Sequence, residues 1–237
     1  MPRLRGAFPS PRHRLAGAVP HRIVGATPSE VFWPSVKLRM YGNDVNGDCV
    51  SAEEGDAKSC VPGVVVPDAT VIAWANANDF LNGADLISVL DAMQSSGFVV
   101  DGKTYDDGSP VSVDWTDVAV LQNALAQGPV KIGVAADQLE TAVGTSDPPA
   151  SGWFATGFTA DPNEDHCVGL RGFGTFAYLA AQISKAYGVQ VTVPDSIDPE
   201  TPGYAMFTWR SVGIIDVPSL LAITAEAWLR NPTTVVN

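Results

Sequence analysis

The chain has 237 residues, 46% hydrophobic and 17% charged, a balance that supports a globular core and excludes wholesale disorder. Its net charge of −12 is uneven: residues 1–40 carry seven Lys/Arg against one Glu, and the remainder carry seven Lys/Arg against 25 Asp/Glu. An acidic body repels a polyanion, which argues against a nucleic-acid substrate, and no apolar run reaches the ~20 residues that span a bilayer.

Residues 1–30 read as a basic arm in which Pro2, Pro9, Pro11, Pro20 and Pro28 block regular structure. Such an arm solubilises the chain or docks on its own acidic body, on another protein in an assembly, or on nucleic acid. It contains no continuous apolar stretch of the secretory type. The polar loop Tyr41-Gly-Asn-Asp-Val-Asn-Gly-Asp48 leads into a helix expected from Cys49 to about Cys60, stopped by Pro62-Gly63. A second helix is expected over Asp68–Asn78, with Asp68 as N-cap. A third spans Ala84–Ser95, where Leu86, Ile87, Leu90 and Met93 recur at helical spacing before Gly97. Asp114 is placed to cap a fourth, whose apolar face is Val118, Leu121 and Leu125. After Gly128-Pro129 the pattern changes. Val130–Val134, Cys167–Gly172, Val189–Val193 and Tyr204–Trp209 read as strands. Phe176–Ala186 reads as a helix or an insertion, and Pro218–Trp228 as a helix. Helices precede strands, which predicts an α+β fold: one domain over residues 31–237, with a helical half at about 41–127 and a sheet half at about 128–230.

The chemistry is concentrated in few residues. Three cysteines at irregular spacing make no disulfide framework and point to a reducing setting. Cys49 follows a polar loop at the mouth of a helix, where the positive end of the helix dipole favours thiolate over thiol. Two of the three histidines lie in the arm, which leaves His166, at the start of a strand segment, as the base. A Cys on a helix facing a His on a sheet across a cleft is an arrangement used by thiol hydrolases. Cys60 and Cys167 read as structural. Cys49, Cys60, His166 and Cys167 do not make a zinc site, because neighbours 166 and 167 point to opposite faces of a strand. The acidic runs Asp161–Asp165 and Asp195–Glu200 lack EF-hand spacing and read as solvated loops. No phosphate-binding glycine pattern occurs. No metal and no cofactor are therefore expected.

Four landmarks in one order resemble the papain-like cysteine peptidases. Asn43 lies six residues before Cys49, where the family has a Gln that donates into the oxyanion hole. Gly128-Pro-Val-Lys-Ile-Gly-Val134 is similar to the strand that enters the family's sheet half. His166-Cys-Val-Gly-Leu-Arg-Gly-Phe-Gly174 is similar to its histidine strand. Tyr204-Ala-Met-Phe-Thr-Trp209 resembles the strand ending in a Trp that shields the dyad. Val50 replaces the aromatic that follows the family's nucleophile. The family's Asn before the Trp has no counterpart, and Thr208 offers only a hydroxyl to orient His166. The ND..GDC loop and late Thr-Trp look like a divergent phage or bacterial branch. The resemblance implies a papain-like fold, with helical and antiparallel sheet halves separated by a cleft, and the site residues Cys49, His166, Asn43 and Thr208. It implies a cysteine peptidase or related thiol hydrolase acting on a protein or peptide. The alternatives are a non-catalytic structural or adhesion component of an assembly such as a phage virion, and a transglutaminase-like acyl transferase using the same dyad. The expected location is cytoplasmic or virion-associated, with no membrane partner.

Overall fold

The computed structural model describes residues 3–237, so Met1 and Pro2 lie outside the described residues. The mixed α+β architecture is organised on one long strand, His166–Thr175, whose first eight residues are all buried. A strand buried on both faces needs cover on both. Val130–Val134 pairs with it antiparallel on one side and sets Val134 opposite His166. Pro202–Thr208 pairs antiparallel on the other and sets Phe207 opposite Gly169. The sheet continues through Thr224–Asn231 and Ser109–Ser112 at one end, and through Ser211–Asp216 and Phe154–Ala155 at the other. Val31–Phe32 pairs with the C-terminal part of the long strand. One core joins Ile132, Val168, Leu170 and Met206 to the helices Val118–Leu125 and Asp137–Val143. The other joins Ala205, Phe207 and Ile214 to the helices Cys49–Lys58, Asp68–Ala77, Leu86–Ser95 and Phe176–Tyr187.

The Cys49–Lys58 helix decides how the site is held. Its sequence CVSAEEGDAK has a polar composition, yet all ten residues are buried. Buried charges persist only when paired. Lys131 Nζ lies 2.9 Å from Glu53 and 2.8 Å from Glu54, and Arg230 Nη1 lies 2.9 Å from each of them. Arg171 grips Asp56 in a two-pronged pair, and Lys58 meets Asp107. Four acids and four bases thus close a buried ionic layer between helix and sheet. Lys131 Nζ also donates to the carbonyl of Val50 at 2.7 Å, which pins the first turn of the helix to the Val130–Val134 strand.

Several local expectations are corrected. The arm is not devoid of regular structure: Ala7–Phe8 forms a short strand parallel to Ala84–Asp85, and Arg12–Gly17 forms a helix. Pro67, not Asp68, is the cap of its helix; the Asp68 carboxylate instead accepts from Tyr41 N and Arg39. Asp117 caps the Val118–Leu125 helix, while Asp114 holds Thr116 in a local turn. The third helix starts at Leu86 behind the Asp85 cap. Val189–Val193 is not a strand, although Val189, Val191 and Val193 pack partly buried on the core. Pro218–Trp228 divides: Val217–Ile223 is helical, and Thr224–Asn231 is a strand paired on both edges. The strands Phe98–Val100, Lys103–Asp106 and Ser109–Ser112 also lie inside the segment expected to be helical.

Candidate active site

Cys49 opens its helix, and Asp48 supplies the first carbonyl, accepting from Ser51 N and Ala52 N at 2.9 Å each. The Asp48 side chain caps nothing. It is buried, neither oxygen meets a well-formed hydrogen-bond donor among the described residues, and burial, against a weaker pull from the nearby Asn43 amide, pushes its pKa up to about 7. The Cys49 thiol lies against the backbone of Cys167, the residue that follows His166. His166 is itself buried. Its Nε2 is 2.8 Å from Thr208 Oγ1, and Nδ1 has no hydrogen-bond partner among the described residues. The imidazole stacks on Trp209 at a centroid distance of 4.2 Å and an angle of 13°. Trp209 and Arg210 form the two-residue turn between the strands Pro202–Thr208 and Ser211–Asp216. Both have positive φ, 41° and 65°, a conformation that matches the twist of a hairpin but is uncommon for bulky residues. The backbone is held in a disfavoured region at the point where the indole covers the imidazole. Asn43 is buried, and its Nδ2 donates to Asn46 O at 3.2 Å.

The sequence reading missed what covers these residues. Arg3–Phe8 runs as an extended peptide across them. Leu4 N donates to Asn43 O and Trp209 Nε1 donates to Leu4 O, both at 3.2 Å. Gly6 N and Ala7 N donate to Asp165 O, and Ala84 N donates to Gly6 O at 2.9 Å. Gly6 passes so close to the loop before Cys49 that a Cβ on it would stand 1.7 Å from the Gly47 carbonyl oxygen. Here the absence of a side chain is a requirement of close approach. Arg5 reaches Asp137, Glu140 and Asp165 at 2.6 Å each. Of the partners considered for the arm, the chain's own acidic body is the one it meets in this structure. In the sequence this docking leaves only separate traces, Arg3 and Arg5 at i, i+2 in the arm and Glu164-Asp165 before His166.

The cover sets the protonation states. Burial pushes the Cys49 thiol up to about 12, against the backbone hydrogen bonds of Cys167 and Gly6 that pull it down. Burial and then the Arg5 charge push His166 down to about 3. A helix end that favours thiolate is outweighed here by desolvation, so the expectation of an ionised sulfur fails for the covered form. At neutral pH the site holds a neutral thiol and a neutral imidazole.

The arm continues past the site to Ser10, whose N–H donates to Glu226 Oε1 at 3.1 Å; Glu226 Oε2 accepts from Trp228 Nε1 at 2.6 Å. Burial, and then the adjacent Glu226 carboxylate, push Glu164 up to about 9. An unfolded Glu titrates at about 4.3. Between these values the folded chain keeps a proton that the unfolded chain releases, so this group makes stability fall as pH rises through that window. Glu164→Gln, which mimics the protonated carboxyl, is expected to flatten the decline of Tm between pH 5 and pH 9. An unchanged slope in thermal melts at pH 5, 7 and 9 would refute this.

No protein-family model and no curated protein sequence matches the chain. Solved structures do. The proform of the Amb a 11 cysteine protease, a ragweed pollen allergen, superposes with a TM-score of 0.60 at 13% identity, covering 96% of this chain and 74% of its own. Digestive procathepsin L 3 from the larval midgut of Tenebrio molitor gives 0.58 at 12%, covering 90% and 73%. Bromelain from Ananas comosus, in complex with the E64 inhibitor, gives 0.53 at 9%, covering 86% and 98%. At these identities the likeness is one of architecture, and the chain has the fold of the papain-like cysteine proteases.

Proposed function

We propose that the chain is a papain-like cysteine peptidase held latent by its own N-terminal arm. The observation that carries this reading is the Cys49 thiol at a helix N-terminus, lying against the backbone beside His166, with an extended peptide segment laid over both. With the arm displaced, His166 takes the Cys49 proton, and the sulfur attacks an amide carbonyl. The imidazolium then protonates the leaving amine, and water hydrolyses the thioester with His166 as base. Thr208 orients the ring through Nε2, leaving Nδ1 for the thiol. The Asn43 amide and the Cys49 backbone N–H stabilise the oxyanion, a type of contact whose loss costs about 10²–10³ in rate. Two of the structural neighbours are proforms, which supports the latent reading, and one is an inhibitor complex.

The test is covalent labelling by a thiol-directed inhibitor of the full-length chain carrying Gly6→Trp, read by intact mass and peptide mapping. Label is expected on Cys49 and absent from the same chain with Cys49→Ala. Label on Cys60 or Cys167 instead, or none at all, would remove the peptidase reading and favour a non-catalytic component of an assembly.

A further inference from the structure

The arm lies in the cleft as a peptide, and it shows what kind of side chain the cleft receives. Main-chain hydrogen bonds fix Leu4 to Asn43 and Trp209, and Gly6 to Asp165 and Ala84. Between these fixed points Arg5 projects into a group of three carboxylates drawn from two elements. Asp137 and Glu140 sit one turn apart on the Asp137–Val143 helix, and Asp165 immediately precedes His166. Asp165 is held from below, its other oxygen accepting from Ala136 N at 3.0 Å, so the carboxylate is positioned by the scaffold and not by the guanidinium. Arg3 lies alongside, with its guanidinium 5.8 Å from the centre of the Trp209 ring and its Nη1 donating to the carbonyl of Glu140. Arg3, Arg5, Asp137 and Glu140 border a cavity of about 790 Å³.

From this geometry we infer that Asp137, Glu140 and Asp165 form a subsite for an arginine or lysine side chain of the substrate, on the amine side of the scissile bond. The inference rests on the peptidase reading for the word substrate, but the subsite itself is a binding property. The assignment to the amine side follows from the proton's path. His166 must deliver its proton to the leaving amine, so residues on that side of the bond lie beside His166 and Trp209. That is where Asp165 and Arg5 are. A subsite is read by the side chain that fills it, whichever way the backbone runs, so Arg5 serves as a stand-in for the substrate's basic residue. Among the described residues these three carboxylates pair with Arg5 of the arm, so they become a region of strong negative potential once the arm leaves, and a planar guanidinium is suited to bridge several of them.

The test uses the full-length chain with Gly6→Trp and Cys49→Ala, which is to bind peptides without cutting them. The probes are fluorescein-labelled peptides with the sequence of residues 3–9, one with Arg and one with Gln at the position of Arg5, read by anisotropy. The three ion pairs are partly exposed, so the expected preference for the Arg peptide is about tenfold, falling as salt is raised. Adding Asp137→Asn and Glu140→Gln is expected to bring the ratio close to one. Asp165 is left intact because its carboxylate also holds Ala136 and its carbonyl holds the arm. Equal binding of the two peptides, a preference that survives Asp137→Asn/Glu140→Gln, or binding of neither peptide would overturn the subsite. A separate arm with Cys49 restored and the two peptides extended as fluorogenic substrates separates the two claims. Discriminating binding with no turnover and no label at Cys49 keeps the subsite and ends the peptidase reading. Turnover with no preference for a basic residue does the reverse.

Discussion

Replacing Gly6 by Trp in the full-length chain is expected to raise the alkylation rate of Cys49 at neutral pH by about 10- to 100-fold. The argument starts from a distance. A Cβ at residue 6 would stand 1.7 Å from the Gly47 oxygen, and the clash is with backbone, which cannot rotate aside. Forcing extra atoms into a packed contact costs about 1–3 kcal/mol, which shifts the ratio of open to covered chains by about 5- to 150-fold. The apparent rate of any reagent that needs the open form follows that population. The effect reaches the chemistry through solvation. Burial is the main cause of the high Cys49 pKa, near 12, and of the low His166 pKa, near 3, so uncovering the pair moves both toward the range in which a thiolate–imidazolium couple forms. The pH at which alkylation begins should therefore fall in the Gly6→Trp chain, not only the plateau rate rise. Asp137, Glu140 and Asp165 add to this, because with Arg5 withdrawn their negative charge favours the imidazolium. A Gly6→Trp chain whose arm is released, shown by protease cleavage before residue 11, but whose Cys49 reacts at the wild-type rate and pH would exclude the arm as what suppresses the reactivity of Cys49.

Where local pattern and tertiary demand agree, the sequence predicts the element. Leu86, Ile87, Leu90 and Met93 give a helix because the same spacing that makes an apolar stripe also serves the core. Val130–Val134 and the segment after His166 are apolar and β-branched, and they lie side by side at the centre of the sheet. The failures have non-local causes. Ala225-Glu-Ala-Trp228 has helix-forming composition, but two neighbouring strands offer it ladder partners on both edges, and pairing overrides propensity. Val189–Val193 has strand composition but pairs with no strand among the described residues; Val191 N donates instead to the Ser184 hydroxyl, and the segment remains irregular. The docking of the arm depends on contacts spanning more than 130 residues, such as Arg5 to Asp137, which no periodicity reveals.

The candidate site divides along the same line. Cys49 and His166 could be singled out by residue type and position, because a thiol after a polar loop and a histidine opening an apolar strand are locally unusual. Thr208 could be named only as a substitute for a missing Asn, and its 2.8 Å contact with His166 arises from the pairing of two strands, which sets Phe207, its neighbour, opposite Gly169. The Cys49–Lys58 helix is legible as a helix, but its burial is not: Glu53, Glu54, Asp56 and Lys58 are charged, yet all are buried. The clue lay elsewhere in the chain. Lys131, Arg171 and Arg230 each stand alone in an apolar strand segment, and three isolated cations within buried strands require buried anions.

Those cations carry the second large effect. Lys131→Met is expected to destabilise the chain by about 3–5 kcal/mol, because it leaves buried Glu53 with Arg230 alone and buried Glu54 with Arg230 and the more distant Lys58. In a chain of this size that corresponds to a fall in Tm of about 6–20 °C. The sign of the pH dependence follows from Glu54. Its burial raises the pKa, but Arg230, Lys131 and Lys58 outweigh burial and hold it down at about 2. A depressed carboxylate stabilises the fold above its unfolded value near 4.3, and this contribution is lost as pH falls toward 2. With Lys131 gone, acid unfolding should begin at higher pH. Adding Glu54→Gln to Lys131→Met removes the unpaired charge and should recover part of the loss; a cost from lost packing alone would be unchanged by that second substitution. Thermal melts of the single and double variants between pH 3 and pH 7 decide between these outcomes, and a Tm change under 2 °C for Lys131→Met would show that the layer does not hold the helix. The same substitution removes the 2.7 Å hydrogen bond from Lys131 to the Val50 carbonyl, in the first turn of the Cys49–Lys58 helix, and a positive charge that helps to lower the Cys49 pKa. Loss of stability and slower reaction at Cys49 should therefore occur together in Lys131→Met, whereas Arg171→Met, whose partner Asp56 lies two turns further along, should lower stability with a smaller effect on the thiol.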